Sequence, residues 1–305
     1  MASELKLTVA VSCYKQEEYI ATCLQSILDQ KVCFDFEIVV GDDLSPDRTR
    51  AVILQFVDRY PGRITTIFNE KNLGAARNYF SVHSKARGKY VAHIDGDDVM
   101  LPGKLQAQVD VMEANPECNV VFHRSHYFSD DGSYQSDTGP LFENNRTVFL
   151  TASQLARWGP IAAHGSYMYR RSTRLTLEYE FDFMEWYLAF EAVAQNGFAA
   201  YINEIFLNYR CNPTGNAYLA TQAGREKSYS ILIQNVIHCF SRYPRFRTDL
   251  YTQLLINAAM YFKNSHRIPM NWCRFMLRHA GLFRPARFIE SVRVRKMVAP
   301  NKKIR

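Results

Sequence analysis

The sequence lacks the patterns that mark several common classes of protein. Its seven cysteines are scattered along 305 residues and form no C-x-x-C pair, which argues against a disulfide scaffold or a zinc site and favours a reduced, cytoplasmic chain. No uninterrupted apolar run approaches ~18 residues, so we expect no transmembrane helix. The opening stretch MASELKLTVAV contains one lysine and a short apolar run, which does not fit a signal peptide.

Three functional motifs are missing as well. There is no G-x-G-x-x-G after the first predicted strand, no G-x-x-x-x-G-K-[ST] and no G-x-S-x-G. These absences argue against a dinucleotide-binding Rossmann site, a P-loop NTPase and a nucleophile elbow, respectively. His123 and His126 lie three residues apart, but they straddle the end of a predicted strand, where a structural role is favoured over metal ligation.

Acidic side chains are scarce at the C-terminal end. Residues 261–305 contain twelve Lys/Arg and one acid, Glu290, a net charge of +11; because the whole chain carries +7, residues 1–260 sum to −4. Apolar side chains alternate with these cations, which predicts peripheral contact of residues 261–305 with an anionic membrane, at the cytoplasmic face of the inner membrane. The alternative is a helical cap with a solvated basic face. No RNA- or DNA-binding motif accompanies the charge, so we expect no nucleic-acid partner.

Apolar periodicity predicts alternating strands and helices over the first 125 residues. The predicted strands cover residues 5–12, 36–41, 64–69, 89–94 and 119–124. The predicted helices cover residues 18–30, 46–59, 74–85 and a segment opened by Pro102, and Ser45 is the expected N-cap of the second. This alternation predicts an α/β protein with a mostly parallel sheet flanked by helices. Residues 129–145 are polar and predict a loop, a helix is expected near residues 185–195, and residues after 223 read as helical.

One acidic cluster, DGDD, directly follows the fourth predicted strand. It consists of Asp95, Gly96, Asp97 and Asp98. Mg²⁺ and Mn²⁺ prefer oxygen ligands and usually take only one or two protein carboxylates, with substrate phosphates supplying the rest. Two acids separated by a glycine suit that use, and the alternative is a solvated turn before the next helix.

A second acidic cluster follows the second predicted strand. Asp42 and Asp43 could accept hydrogen bonds from a base or a ribose hydroxyl, or they could cap the helix after Ser45. Because ligands bind outside the carboxyl ends of parallel strands, both acidic clusters should face one crevice. Arg77, one turn into the third predicted helix, is placed to reach an anion or a base near that crevice, unless it is a surface arginine.

The order of these motifs resembles the family 2 glycosyltransferases. The stretches VAVSCYKQEEYIATCLQSILDQ, FEIVVGDDLSPDRTR, NLGAARN and GKYVAHIDGDDVMLPGKLQAQVDVM are similar, in order and spacing, to the motifs of that family's GT-A domain. GFAAYINEIFLNYR resembles the end of that domain. The resemblance implies a GT-A type Rossmann-like fold at residues 1–222, with a nucleotide-binding half (1–125) and an acceptor-side half (126–222). Residues 223–305 are then a helical, basic C-terminal region.

The resemblance also implies roles for matching positions. Asp42 matches the acid that binds the nucleotide base, and Asp95 and Asp97 match the D-x-D pair that serves the ribose and the metal-bound diphosphate. Asp98 is a possible substitute ligand of the Mn²⁺ or Mg²⁺ cofactor. The implied nucleotide-binding set is Tyr14, Asp42, Asp43, Arg77, Asp95 and Gly96.

The sequence departs from the family where the catalytic acid is expected. The family carries an aspartate about a dozen residues before the glycine that matches Gly197, and here that position is Trp186. Glu185 precedes it, and Asp182 lies one helical turn earlier. We favour Glu185, because a one-residue shift lets "EW" replace "DW". The alternatives are Asp182 and a base located elsewhere.

The resulting prediction is an inverting, metal-dependent glycosyltransferase. It would move a sugar from a UDP- or dTDP-type nucleotide sugar to the hydroxyl of a glycan or glycolipid acceptor, in cell-surface polysaccharide or glycolipid assembly. A sugar-phosphate nucleotidyltransferase would need a glycine-rich, basic loop directly after the first strand, where this chain has SCYKQEEY. A non-catalytic nucleotide-sugar-binding module is the other alternative, and it would be favoured if Asp182 and Glu185 were both dispensable.

Overall fold

The computed structural model describes residues 5–142, 146–173, 181–211 and 221–298. Within them the strands are β1 Leu7–Cys13, β2 Phe36–Asp42, β3 Ile64–Phe68, β4 Tyr90–Asp95, β5 Val99–Met100, β6 Cys118–Phe128, β7 Gln135–Thr138, β8 Thr147–Leu150, β9 Met168–Arg170 and β10 Phe198–Arg210. The helices are α1 Ile20–Leu28, α2 Thr49–Arg59, α3 Ala75–Ser84, α4 Lys104–Ala114, α5 Ala152–Trp158, α6 Glu185–Ala194, α7 Gln222–Arg242, α8 Arg247–Ser265, α9 Met270–Arg278 and α10 Pro285–Val298.

The described strands form one mixed sheet in the order β3-β2-β1-β4-β9-β6-β10-β5, with β7 beside β6 and β8 beside β10. The four strands β3, β2, β1 and β4 are parallel, as the alternating sequence pattern predicts. β9 inserts antiparallel between β4 and β6. The first half of the sheet is buried on both faces, which explains the nearly continuous apolar runs of its strands. The predicted α/β fold class is confirmed.

Three hydrophobic clusters cover the two faces of the sheet. One joins β1, β2 and β4 to α1, α2 and α4. A smaller one packs Val82 of α3 against the opposite face of the same three strands. The third packs α5 and α6 against β8 and β10, and continues without a break into α7, α8 and α10. The predicted helical C-terminal region is therefore present and shares a core with the second half of the chain, and the division at residue 222 stays a prediction. No helix in the described part of the chain is long and apolar enough to cross a membrane.

Two predicted local elements are wrong. The second helix begins at Thr49 and not at Pro46, because the N–H and hydroxyl of Ser45 bind Asp42 instead of capping a helix. The predicted loop at residues 129–145 contains strand β7, which pairs with β6, although residues 143–145 lie outside the described part. Asp130 of this segment binds Arg210, and it accepts a hydrogen bond from the Tyr19 hydroxyl (3.1 Å).

Candidate active site

The crevice lies where the sheet reverses its winding. The chain leaves β1 towards β2 and β3 on one side and returns to β4 on the other, so β1 and β4 form a topological switch point. Ser12 of β1 pairs with Gly41 of β2 and with Asp95 of β4. The two acidic clusters therefore end at one edge of the sheet, two strand spacings or about 10 Å apart. This juxtaposition confirms the expectation drawn from the strand pattern.

Asp95 ends β4 with its carboxylate between two imidazoles. Its Oδ1 lies 3.2 Å from Nε2 of His93, and its Oδ2 lies 3.5 Å from Nδ1 of His164. Burial alone would raise the pKa of the Asp95 carboxyl, but His164 and then His93 hold that pKa well below its ordinary range. Asp95 is therefore anionic, and a third of its side chain (33%) remains exposed to the crevice.

A column of stacked rings supports Asp95 from behind. The His93 and His164 rings stack with centroids 4.0 Å apart, and Tyr79 stacks on His83 at 3.8 Å. His83 Nε2 lies 3.0 Å from His93 Nδ1, so the His93 tautomer that donates to Asp95 from Nε2 accepts at Nδ1 from His83. Burial, and then His164, lowers the pKa of His93 to about 4, which keeps the ring neutral.

Gly96 lets the acidic turn pack against the connection that follows β1. Its N–H donates to the carbonyl of Ser12 at 3.0 Å. A Cβ at this position would approach Gln16 Oε1 to 2.5 Å and the Cβ of Cys13 to 2.9 Å. A side chain here would therefore push the acidic turn away from β1, so the glycine sets the position of the two aspartates that follow.

Asp97 and Asp98 differ in their burial and in their contacts. Asp97 is half-buried, and burial together with the charge of Asp95 raises the pKa of its carboxyl to about 7. Asp98 is buried, and its Oδ1 accepts from the backbone N–H of Arg210 at 2.9 Å. Arg210 also donates from Nε to the carbonyl of Asp97, at 2.9 Å, so one residue of β10 fixes both ends of this turn.

Lys104 lies beneath the acidic turn and is fully buried. Its Nζ donates to the carbonyl of Gly165, and Asp98 acts on the ammonium electrostatically. Burial lowers the pKa of the Lys104 ammonium to about 7, while Asp98 acts in the opposite direction. The lysine thus ties the acidic turn to the turn that carries His164.

The acids after β2 are both buried and bound by protein donors. Asp42 accepts from the Ser45 N–H at 3.1 Å and from Arg50 Nε at 2.6 Å. Asp43 accepts from the N–H groups of Leu73 and Gly74, each at 2.8 Å, immediately before α3. Neither carboxylate caps α2, so that alternative is wrong. Both have internal hydrogen bonds that a nucleotide would have to share or replace.

Two other predicted nucleotide-binding residues lie at the same edge of the sheet. Tyr14 follows β1 and is half-buried, with Lys15 Nζ 5.3 Å from its ring centre. Arg77 is exposed in the first turn of α3. A shallow cavity of about 550 Å³, lined in part by Asn69 and Leu73, lies beside Asp43, since both residues bind that carboxylate. The roles of Tyr14 and Arg77 stay predictions.

Glu185 is the first residue of α6 and reaches the acidic cluster. Its Oε1 lies 3.3 Å from Nδ1 of His164, the same nitrogen that faces Asp95. Asp182 is exposed three residues earlier, and its backbone carbonyl accepts from Asn235 Nδ2 at 3.1 Å. Glu185 and Asp182 are the two candidate bases from the sequence. In the described residues, the carboxylate of Glu185 contacts this cluster.

Sequence reasoning missed the two imidazoles that organise this site. His93 occupies a buried position in an apolar strand. The sequence pattern of that strand predicts only that the side chain packs in the core. His164 belongs to a single 3-10 turn at residues 164–166, and no periodicity surrounds it. The available signal was the placement of His93 two residues before Asp95, on the same face of the strand.

Comparisons with known proteins agree with this architecture. The family model "Glycosyl transferase family 2" matches residues 8–174, more than half of the 305 residues. An uncharacterized protein of Mycobacterium tuberculosis is 37% identical over 129 residues, which are 42% of this chain and 37% of that protein. The match therefore spans well under half the length of the first curated relatives.

Two solved structures share the fold. The structure of S. aureus TarS 1-349 in complex with UDP-GlcNAc superposes with a TM-score of 0.65 at 19% identity, covering 96% of this chain and 84% of that one. The mannosyltransferase PcManGT from Pyrobaculum calidifontis, in complex with GDP-Man and Mn²⁺, gives 0.56 at 17% identity, covering 96% and 86%. At these identities the likeness concerns the fold, and it confirms the GT-A type architecture. Because the family match includes the strands that carry both acidic clusters, the chain belongs to glycosyltransferase family 2.

Proposed function

We propose that the chain is an inverting, metal-dependent glycosyltransferase. It would take a sugar from a nucleotide diphosphate sugar, of the UDP or dTDP type, and transfer it to an acceptor hydroxyl. The observation that carries the proposal is the convergence of Asp95 and Glu185 on one imidazole at the switch point of the sheet. Membership of glycosyltransferase family 2 supports the same reaction class.

A divalent ion, Mn²⁺ or Mg²⁺, fits Asp95 and Asp97. Both carboxylates reach the crevice, and the raised pKa of Asp97 reflects its burial and its closeness to the Asp95 charge, a repulsion that a cation would relieve. When bound, the ion would neutralise the charge that develops on the diphosphate leaving group. Asp98 stays a predicted ligand, although its carboxylate is engaged by the backbone of Arg210.

The nucleotide would lie along the edge formed by β1, β2 and α3. Asp42 would receive the base, Tyr14 would lie beside it, and Arg77 would approach the nucleotide from α3. Asp43 would act indirectly, because it holds the start of α3 through the N–H groups of Leu73 and Gly74. The nucleotide-sugar complexes of TarS and PcManGT support this class of donor.

Glu185 is the proposed general base. Its carboxylate takes the proton from the acceptor hydroxyl while the hydroxyl oxygen attacks the anomeric carbon, from the face opposite the diphosphate. The bond between the anomeric carbon and the diphosphate oxygen breaks as the new glycosidic bond forms, and this single displacement inverts the anomer. Asp182, which is exposed before α6, is the alternative base.

Donor binding can be tested by thermal shift. We expect UDP or dTDP to raise the melting temperature by about 5 °C at a hundredfold excess over Kd, and only with Mn²⁺ or Mg²⁺ present. GDP serves as the comparison nucleotide, and EDTA as the metal-free control. Indifference to every nucleotide, with or without metal, would contradict the proposal.

The acceptor is proposed to be a glycan or a glycolipid, reached at an anionic membrane. The α9 face consists of Met270, Arg274, Leu277 and Arg278, all exposed. These residues follow the helical spacing i, i+4, i+7, i+8 and so share one side of α9, opposite the buried Trp272.

The sequence around α9 contains no acid. Asp249 and Glu290 are the flanking acids on either side, and they are bound by Arg287 (2.8 Å) and Arg157 (2.9 Å). Exposed apolar side chains beside arginines suit the interface of an anionic bilayer, where each cation near the surface contributes ~1 kcal/mol. Residues 299–305, the end of the predicted membrane segment, lie outside the described part.

Vesicle co-sedimentation tests this contact. The wild-type chain should bind vesicles that contain anionic lipid at moderate salt and should not bind neutral vesicles. The Arg274→Gln/Arg278→Gln variant should bind about 30-fold more weakly, the equivalent of ~2 kcal/mol for two cations. The Leu54→Ser variant, which changes an exposed leucine of α2, is the control. Failure of the wild type to bind anionic vesicles would exclude the membrane contact and leave the proposed reaction untouched.

A further inference from the structure

His164 contacts two acids that come from different parts of the fold. Its Nδ1 lies 3.3 Å from Oε1 of Glu185, at the start of α6, and 3.5 Å from Oδ2 of Asp95, at the end of β4. In the proposed reaction Glu185 is the base and Asp95 binds the metal. His164 therefore lies between the base and the metal site.

The backbone of the turn that carries His164 is fixed by its neighbours. Lys104 Nζ donates to the carbonyl of Gly165, and Gln108 Nε2 donates to the carbonyl of Ser166 at 2.8 Å. The Ser166 hydroxyl donates to the carbonyl of Ala163 at 2.6 Å, inside the turn. These anchors do not involve the imidazole, so replacing the His164 side chain should leave the turn in place.

Two neighbouring rings fix the orientation of the His164 ring. The His93 ring stacks on it at 4.0 Å with 24° between the planes, and the Tyr79 ring lies at 5.3 Å with 28° between the planes. The stacking fixes the plane of the imidazole, and within that plane the Nδ1 edge faces the two carboxylates.

The same stacking argues against a metal ion shared by the two histidines. The potential ligand atoms of His93, Asp95 and His164 lie within 4.8 Å of one another. An ion bound to an imidazole nitrogen lies close to the plane of that ring, and two stacked, nearly parallel rings cannot direct their nitrogens at one ion. Both nitrogens of His93 are already engaged, by Asp95 and His83.

We propose that His164 is a positioning residue that donates its Nδ1–H to Glu185 and holds that carboxylate beside Asp95. Two carboxylates that share a crevice repel each other, and an N–H donor between them opposes the repulsion and restricts the Glu185 rotamers. Without the imidazole, Glu185 could turn to solvent and would spend less time near the acceptor hydroxyl. This inference rests on the proposed function, since it assigns the base role to Glu185.

Two substitutions separate the Nδ1 donor from the bulk of the ring. In His164→Asn the amide nitrogen can occupy the position of Nδ1, whereas in His164→Gln it falls nearer to Nε2. We expect His164→Gln to lower kcat for transfer about 50-fold with the donor KM changed less than about threefold, and His164→Asn to recover about tenfold of that loss. His266→Gln and His266→Asn, at an exposed residue after α8, are the matched controls. Equal losses in the two His164 variants, or none in either, would overturn the proposal.

An NMR experiment tests the contact independently of activity. With ¹⁵N-labelled histidine, we expect His164 to carry its proton on Nδ1, and the Nδ1 signal to shift in Glu185→Gln. A His164 ring without a proton on Nδ1, or an Nδ1 signal that does not change in Glu185→Gln, would overturn the positioning role. If the wild-type chain transfers sugar from no nucleotide donor, the proposed function fails, and the NMR result still decides whether His164 positions Glu185.

Discussion

Replacing Glu185 with glutamine is expected to lower kcat for sugar transfer by about 10³-fold, within the range that general bases contribute. Glutamine keeps the size of the side chain and can still contact His164, but it cannot take a proton from the acceptor hydroxyl. The donor KM should change little, because Glu185 faces the acceptor side of the crevice in the proposed reaction. Steady-state kinetics with saturating acceptor measure both quantities.

The matched control for this substitution is Asp182→Asn. Asp182 is exposed and lies three residues before Glu185, outside α6, so its replacement should leave kcat within about twofold of the wild type. The opposite result, a large loss in Asp182→Asn and full activity in Glu185→Gln, would move the base to Asp182. Full activity in both variants would place the base elsewhere, and nucleotide-sugar binding without transfer in the wild type would favour a non-catalytic module.

The meeting of the two acidic clusters at one edge of the sheet was predictable. It depends on the apolar pattern of the strands and on the right-handed crossovers that join them. β2 is buried at every position, and the observed strand covers the predicted one with one added residue, Asp42. Parallel strands joined by right-handed crossovers must place their carboxyl ends together. Acids that directly follow such strands therefore meet in space, which is why the positions of Asp42 and Asp95 followed from the sequence.

The start of α2 was not predictable, because hydrogen bonds between residues two or three apart compete with helix capping. Ser45 and Pro46 have the residue types of a helix start, but Asp42 takes both donors of Ser45. Asp47 instead accepts from the N–H and the hydroxyl of Thr49, at 3.0 and 2.6 Å, and the helix begins there. Residue propensity does not show which of two nearby acids a serine will bind.

The sequence also could not predict that His164 contacts both Glu185 and Asp95. It depends on β9, which inserts between β4 and β6 and thereby brings the turn that carries His164 against β4. The three residues of β9 are too few for a periodic signal. The sequence supplied Glu185 as a candidate base, but the imidazole between the two acids follows only from the order of the strands.

Replacing Asp97 with asparagine is expected to abolish the metal-dependent binding of the nucleotide and to lower kcat by about 10²- to 10³-fold. Asp97 is a cleaner target than Asp95, because the Asp95 carboxylate also contacts His93 and His164. We expect UDP or dTDP with Mn²⁺ to raise the melting temperature of the wild type by about 5 °C and that of Asp97→Asn by less than about 1 °C.

The same variant should behave in the opposite way without metal. In the free chain the Asp97 carboxylate is half-buried beside the charge of Asp95, which is why its pKa rises to about 7. Removing that charge should make Asp97→Asn melt higher than the wild type in EDTA, by a few degrees. Asp58→Asn, at an exposed acid of α2, is the control and should shift neither measurement. A lower melting temperature for Asp97→Asn in EDTA, together with an unchanged response to Mn²⁺ and nucleotide, would show that Asp97 stabilises the turn and binds no metal.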